Sequence, residues 1–392
     1  MKEVTSILKD LIALPSVNPA GRDDLPKDLI GESRVNEYII DFIKKLGLEV
    51  IIQKTELQGR DNVGVMLYKG EKYKTVILEA HTDTVDINDK HNLLSPIEKD
   101  GNIYGRGACD NKGSLACMLA AIADMANNIS ELNNNIIFLG VVDEEYTWKG
   151  SLALVSMEPT KSADFGIVGE PTNCCIVNGY KGVARWDIET YGKSVHSSQP
   201  DKGINAIYKM SKVLDLIENY TRELSKINDP PLGKETISVG TIRGGTSINI
   251  VPDKCTIKID RRLTRKTSPR EAQKALYEYL NNNIDFEVHF SPLKDAQDAA
   301  LINENYAEIR CALSICKALK LRPEPIQVAF GSDAYRMNKA GIPTVVFGPG
   351  NIDVAHSNNE YVSIKELKQA KDFYYRIMKE DLSGNTDRSD SL

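Results

Sequence analysis

IIFLGVVDEEYTWKG, Ile136 to Gly150, is the stretch whose reading decides the fold. It opens with an unbroken apolar run, the pattern of a strand buried on both faces of a parallel sheet. It ends in three successive carboxylates, Asp143, Glu144 and Glu145. In open α/β sheets, ligands collect just beyond the carboxyl ends of the strands. Three acids packed there repel one another unless something cationic sits among them. Taken alone, the acidic end reads better as a solvated loop. What decides against that is the rest of the chain, where the same arrangement recurs.

Upstream, TVILEAHTDTVD is an apolar run leading into His81 and Asp83. In NIYGRGACDNKG, Gly105 and Gly107 break structure just before Asp110, and the apolar spacing from Lys112 to Met125 is that of a buried helix. Downstream, the short strand FGIV closes on Glu170-Pro171-Thr172, and IPTVVFGPG is another buried strand with His356 in the loop beyond it. Helical periodicity over 2–13, 28–46, 304–319 and about 364–379 alternates with these strands. The expected class is α/β, a mainly parallel sheet with helices on both faces.

The texture changes near Gly179. GVARWDIETYG alternates apolar and polar residues, as an antiparallel strand with one open face should. A helix (about 203–223), the strands ETISVGTIRGG and KCTIKIDRRL, a helix (about 269–282) and the strand DFEVHF follow. The order β-α-β-β-α-β is that of an α+β ferredoxin-like sandwich. The expected organisation is therefore one domain built from 1–178 and 293–382, with 179–292 inserted into it, and a disordered polar tail over 383–392.

Composition agrees with this and excludes several classes. A chain of 392 residues is too long for one core. Hydrophobic content of 41% and charged content of 27% are those of a globular protein, and the net charge of -6 argues against a nucleic-acid or membrane-surface partner. No apolar run reaches the roughly 18 residues of a membrane span. The N-terminus reads as an amphipathic helix without a cleavage site, so a cytoplasmic location is expected. Seven cysteines, an odd number without a C-x-x-C pair, give neither a disulfide framework nor a thiolate zinc site.

The residues just past the buried runs form a set: His81, Asp83, Asp110, Glu144, Glu145, Glu170 and His356. Each alone has an ordinary explanation, such as a hydrogen-bonded histidine, a helix N-cap or a turn. Together they occupy one position relative to a parallel sheet. Two His, one Asp and two Glu suit zinc, cobalt or manganese better than calcium or magnesium. Asp110, Glu145, Glu170 and a hydroxide carry four negative charges, which two divalent ions neutralise. Asp83 is placed to orient the His81 imidazole. Neighbouring residues on an extended chain point to opposite sides, so Glu144 and Glu145 can do different work.

HTDTV, GRGACDNKG, DEE, GEPT, GKSVHSSQPDKG, GGTSINIVP and FGPGNIDVAHSNNEY resemble, in order and spacing from about residue 2 to 380, the motifs of the M20 metallopeptidase family. That resemblance implies that His81, Asp110 and Glu170 bind one zinc, and that Asp110 bridges to a second held by Glu145 and His356. It implies Glu144 as general base, Asp83 as the carboxylate behind His81, and a cis peptide after Asp110. Residues 179–292 are similar to the family's dimerisation lid, so a homodimer is expected, with His196 reaching the partner's site. Asn249 and Arg262 match positions that bind the substrate carboxylate, with Arg261 as the alternative to Arg262. The activity implied is di-zinc cleavage of an N-acyl amino acid or short peptide. YKGVARW, HSSQPDKGINAI and GPGNIDVAH look closest to acetylornithine deacetylase-like members. A succinyl-diaminopimelate desuccinylase, then an aminoacylase or a dipeptidase, are the alternatives. A non-catalytic binding protein that kept the fold is the rival from another class.

Overall fold

The computed structural model describes residues 2–88 and 90–382; the tail expected to be disordered, 383–392, lies outside them. The chain forms two compact units, Met1–Asn178 with Ile302–Ile326 and Ser332–Leu392, and Gly179–Leu301 with Gln327–Gly331. It leaves the second unit after Leu301, later than the expected 292. The cause is a strand, Asp295–Gln297, that pairs antiparallel with Gly182–Tyr191, Asp295 opposite Arg185.

In the first unit the strands run, across the sheet, Val50–Gln53, Asn62–Leu67, Asn135–Val141, Thr75–His81, Phe165–Val168 and Thr344–Val346. The middle of the sheet is parallel, while Val50–Gln53 and Asn62–Leu67 add antiparallel at one edge. Every residue of Asn135–Val141 is buried, which is why that run carries no polar alternation. Its side chains divide between two cores by strand alternation. Val76, Leu78, Ile136 and Phe138 face a core shared with Ile7, Leu119, Ile122 and Phe373, from three of the helices on that side. On the opposite face, a Cβ at Gly166 would meet Met337 of the helix Ala334–Lys339. Helices therefore cover both faces. All of the central strands end on the same side, which is where the acids and histidines emerge.

In the second unit, Gly182–Tyr191, Ala206–Leu224, Thr236–Gly244, Lys254–Leu263, Pro269–Asn281 and Val288–Phe290 follow one another as β-α-β-β-α-β. The strands pair antiparallel in the order 236–244, 254–263, 182–191, 288–290. Trp186, Ile257, Val213 and Leu276 join one face of this sheet to its two helices. Both helices start on a side-chain cap, Asn205 in one case and a Ser268/Glu271 capping box in the other. Thr236–Gly244 is an edge strand, and Ile242 on it is 53% exposed. Among the described residues no helix is long and apolar enough to cross a membrane.

Candidate active site

His81 is the last residue of Thr75–His81 and is buried. Its Nδ1 donates to the main-chain carbonyl of Asp83, 3.0 Å away, so that Nε2 is the nitrogen turned outward from the strand, towards Asp110. The Asp83 carboxylate lies 3.5 Å from the same nitrogen. Its shorter contacts are elsewhere: it accepts from the Asn18 amide (2.7 Å) and from the main-chain N–H groups of Glu144 (3.2 Å) and Glu145 (3.1 Å). One buried carboxylate thus ties the His81 loop to the turn that follows Asn135–Val141.

Asp110 sits between His81 and His356. Its Oδ1 is 2.9 Å from His81 Nε2, and its Oδ2 is 3.1 Å from His356 Nε2. The Asp110–Asn111 peptide is cis. Glu360 Oε1 accepts from the main-chain N–H groups of Cys109 and Asp110, both at 3.1 Å, and Glu360 is ion-paired with buried Arg106 at 2.6 Å. Glu170 follows Phe165–Val168, with its Oε1 3.8 Å from His81 Nε2, and Glu145 Oε1 is 3.2 Å from His356 Nε2. Two three-residue groups result, His81/Asp110/Glu170 and Asp110/Glu145/His356, each with one donor atom per residue lying within 4.8 Å of the others. Glu144 belongs to neither.

Burial opposes charge throughout this pocket. It pushes Glu144, Glu145 and Glu170 above the usual carboxylate range, and neighbouring acids add to the effect. Asp110 moves the other way, because its bonds to His356 and His81 outweigh burial. Hydrogen bonds to Asp110 and Glu145 push His356 up to about 10. His81 also rises, burial being overcome by Asp110 and Asp83. A pocket that holds protons this firmly on its imidazoles favours a cation. Nitrogen and carboxylate donors in these numbers fit divalent zinc, cobalt or manganese.

Sequence reasoning missed the supports. Asn18 bridges Asp83 and Asp143, at 2.7 and 3.0 Å. Arg60 pairs with Asp143 (3.1 Å) and with buried Glu32 (2.7 Å). Glu360 lay within a quoted motif, and its position in HSNNEY was the one signal available.

In the second unit, His196 is exposed, and its Nδ1 accepts from the Ser198 N–H at 3.2 Å. Ser197 N–H donates to the Asn249 carbonyl at 3.0 Å, and His196 bridges to Ile250, so the loops bearing His196 and Asn249 adjoin. Arg262 is not with them: it lies near the end of Lys254–Leu263, roughly 25 Å along the strand from its start. Arg262 is half-buried, with its Nε on Asp260 at 2.8 Å. Arg261 points into the core and pairs with Glu235 at 2.8 Å, which leaves Arg262 as the accessible member of the pair.

Residues 77–380 match the model for peptidase family M20/M25/M40. The chain is 31% identical over 350 residues to the acetylornithine deacetylase of Myxococcus xanthus, covering 85% of this chain and 89% of that protein. A tripeptidase from Staphylococcus aureus shares the fold with a TM-score of 0.76 at 23% identity, over 96% of this chain and 97% of that one. A dinuclear metal binding peptidase of the M20 family from Bacillus subtilis does so with a TM-score of 0.68 at 14% identity, over 96% of each chain.

Proposed function

The chain belongs to peptidase family M20/M25/M40 as a metal-dependent hydrolase, and from that premise we propose that it is a cytoplasmic two-metal amidohydrolase of N-acyl amino acids, acetylornithine deacetylase-like in its substrate. The observation that carries the two-metal reading is the aim of Asp110, one oxygen toward His81 and the other toward His356. The substrate is supported by the names of the relatives at 24–31% identity over most of the chain.

His81, Asp110 and Glu170 would hold one cation, and Asp110, Glu145 and His356 the other, with zinc favoured over cobalt or manganese. Two divalent cations held there would lower the pKa of a captured water towards neutrality and polarise the scissile carbonyl. Glu144, outside both ligand groups, takes the proton of the attacking water and passes it to the leaving amine. Asp83 fixes the His81 tautomer through its carbonyl and holds the Glu144–Glu145 turn through its carboxylate. His196 carries its proton on Nε2, since Nδ1 accepts from Ser198. In this reading it comes from a second copy and donates to the developing oxyanion. Asn249 and Arg262 are the groups proposed for the substrate carboxylate; they lie at opposite ends of Lys254–Leu263, so they would reach it from two different copies of the chain. The products are a carboxylic acid and a free amino acid.

The homodimer this requires forms through residues 179–292, where the exposed edge strand Thr236–Gly244 offers unpaired backbone groups to a two-fold partner. The test is side-by-side hydrolysis of acetylornithine, succinyl-diaminopimelate and a few dipeptides with added zinc or cobalt. Acetylornithine should be fastest; turnover of the succinyl substrate alone transfers the assignment to a desuccinylase, and no turnover with no bound metal favours a binding protein. Mixing inactive His196→Ala with inactive Glu144→Gln under subunit exchange should restore part of the activity. Proven exchange without recovery removes His196 from the partner's site.

A further inference from the structure

The turn after Asn135–Val141 has two non-glycine residues in left-handed backbone, Asp143 (φ 68°) and Trp148 (φ 56°). For a side chain as bulky as indole this conformation is uncommon and carries strain, and strain of this kind gathers at functional positions. The two residues close the turn on each other: Trp148 N–H donates to the Asp143 carbonyl at 2.7 Å. The left-handed step at Trp148 returns its side chain to the turn's own interior, where Nε1–H lies 3.3 Å from Glu144 Oε1. The ring has a second neighbour. The Arg336 guanidinium lies 5.8 Å from the ring centroid, in cation–π range, and Arg336 Nε has no hydrogen-bond acceptor among the described residues.

From this geometry we infer that Trp148 is the positioning residue for Glu144: its indole N–H binds one carboxylate oxygen and leaves the other to receive the proton of the attacking water. The choice of indole has a chemical reason. An indole N–H only donates and has no ionisable proton in the working range. It can orient the carboxylate without competing for the proton that Glu144 must carry. A serine or histidine in its place could accept that proton or offer a second hydrogen-bonding mode. Arg336 keeps the ring from turning away, and the strained backbone at Trp148 keeps it within reach.

This inference rests on Glu144 being the proton carrier, and the experiment separates the two. The chain has two tryptophans, Trp148 and Trp186. A two-dimensional nitrogen–proton spectrum of the full chain therefore has two indole signals. Glu144→Ala should shift the Trp148 indole proton and leave that of buried Trp186 in place. Trp148→Phe, which keeps the ring and removes the donor, should lower kcat about tenfold or more with KM and metal content unchanged, the size expected for a hydrogen bond to a charged group. In a Glu144→Gln background the same substitution should cost nothing further. If Trp148→Phe fails to fold, the sulfur isostere of tryptophan, benzothienylalanine, removes only the N–H and gives the same readout. An unmoved Trp148 signal, wild-type turnover without the indole donor, or additive losses overturn the inference. Full activity in Glu144→Gln instead removes the proton-carrier reading and the inference with it, whereas an inactive Glu144→Gln beside an unaffected Trp148→Phe removes the inference alone.

Discussion

At the scale of single residues, the site separates two neighbouring glutamates by what each touches. Glu145 contacts His356 within a ligand group, and Glu144 contacts the Trp148 indole outside one. Glu144→Gln is expected to retain two metals per chain while losing nearly all turnover, and Glu145→Gln to lose one metal; elemental analysis beside kinetics checks this, and equal metal loss in both variants refutes the division. A second expectation concerns protons. The folded-state pKa of His356, about 10, lies above its ordinary 6.5. In metal-stripped protein its protonated form therefore stabilises the fold fully below about pH 6.5, and that contribution is lost as pH rises towards 10. The upward shifts of Glu144, Glu145 and Glu170 act with the same sign, because the folded state again holds more protons than the unfolded one. Stripped protein should melt lower at about pH 9 than at about pH 6, and zinc binding should flatten the difference while releasing protons. Calorimetric titration in two buffers of different ionisation heat counts those protons; a stripped protein whose Tm climbs over that range contradicts the sign.

At the scale of elements, the junction between Asn135–Val141 and the helix Lys149–Leu154 leaves no room for a side chain. A Cβ at Gly150 would stand 2.2 Å from the Val142 carbonyl oxygen and 2.5 Å from its nitrogen. Gly150→Ala should therefore force the turn outward, costing about 1–3 kcal/mol by urea unfolding and weakening the metal held by Glu145. Unchanged stability and metal affinity would show that the turn can move freely. The elements themselves were legible in the sequence wherever burial imposes a period. The unbroken apolar run at 136–142 has the pattern of a doubly buried strand, and the acids and histidines were legible because each follows such a run. What holds them was not. Arg106 and Glu360 are 254 residues apart, Asn18 and Asp143 are 125 apart, and Glu32 and Arg60 are 28 apart. Pairing across such separations is set by the assembled sheet, and local sequence carries no trace of it. Arg261 and Arg262 are legible by alternation, since Cys255, Ile257, Ile259 and Leu263 share the phase of Arg261 and put it on the core face, whereas its partner there, Glu235, is not.

At the scale of the whole molecule, the chain interrupts its first unit to build its second, and this gives assembly an order in time. Phe165–Val168 takes one of its two parallel neighbours from Thr344–Val346, which follows the entire second unit in sequence. Until Thr344 has left the ribosome, one edge of that strand has no partner. The second unit, by contrast, is complete once Gly331 has emerged. Chains arrested during synthesis between these two points should carry a protease-resistant second unit on a first unit that is still open and prone to associate through its bare edge. Limited proteolysis of nascent chains of increasing length checks this: protection of the first unit before Thr344 is exposed would contradict it. A cell making this protein must therefore shelter an unfinished sheet for as long as translation takes to cross the insertion, so the demand on its chaperones is set by the length of the inserted unit and the speed of the ribosome.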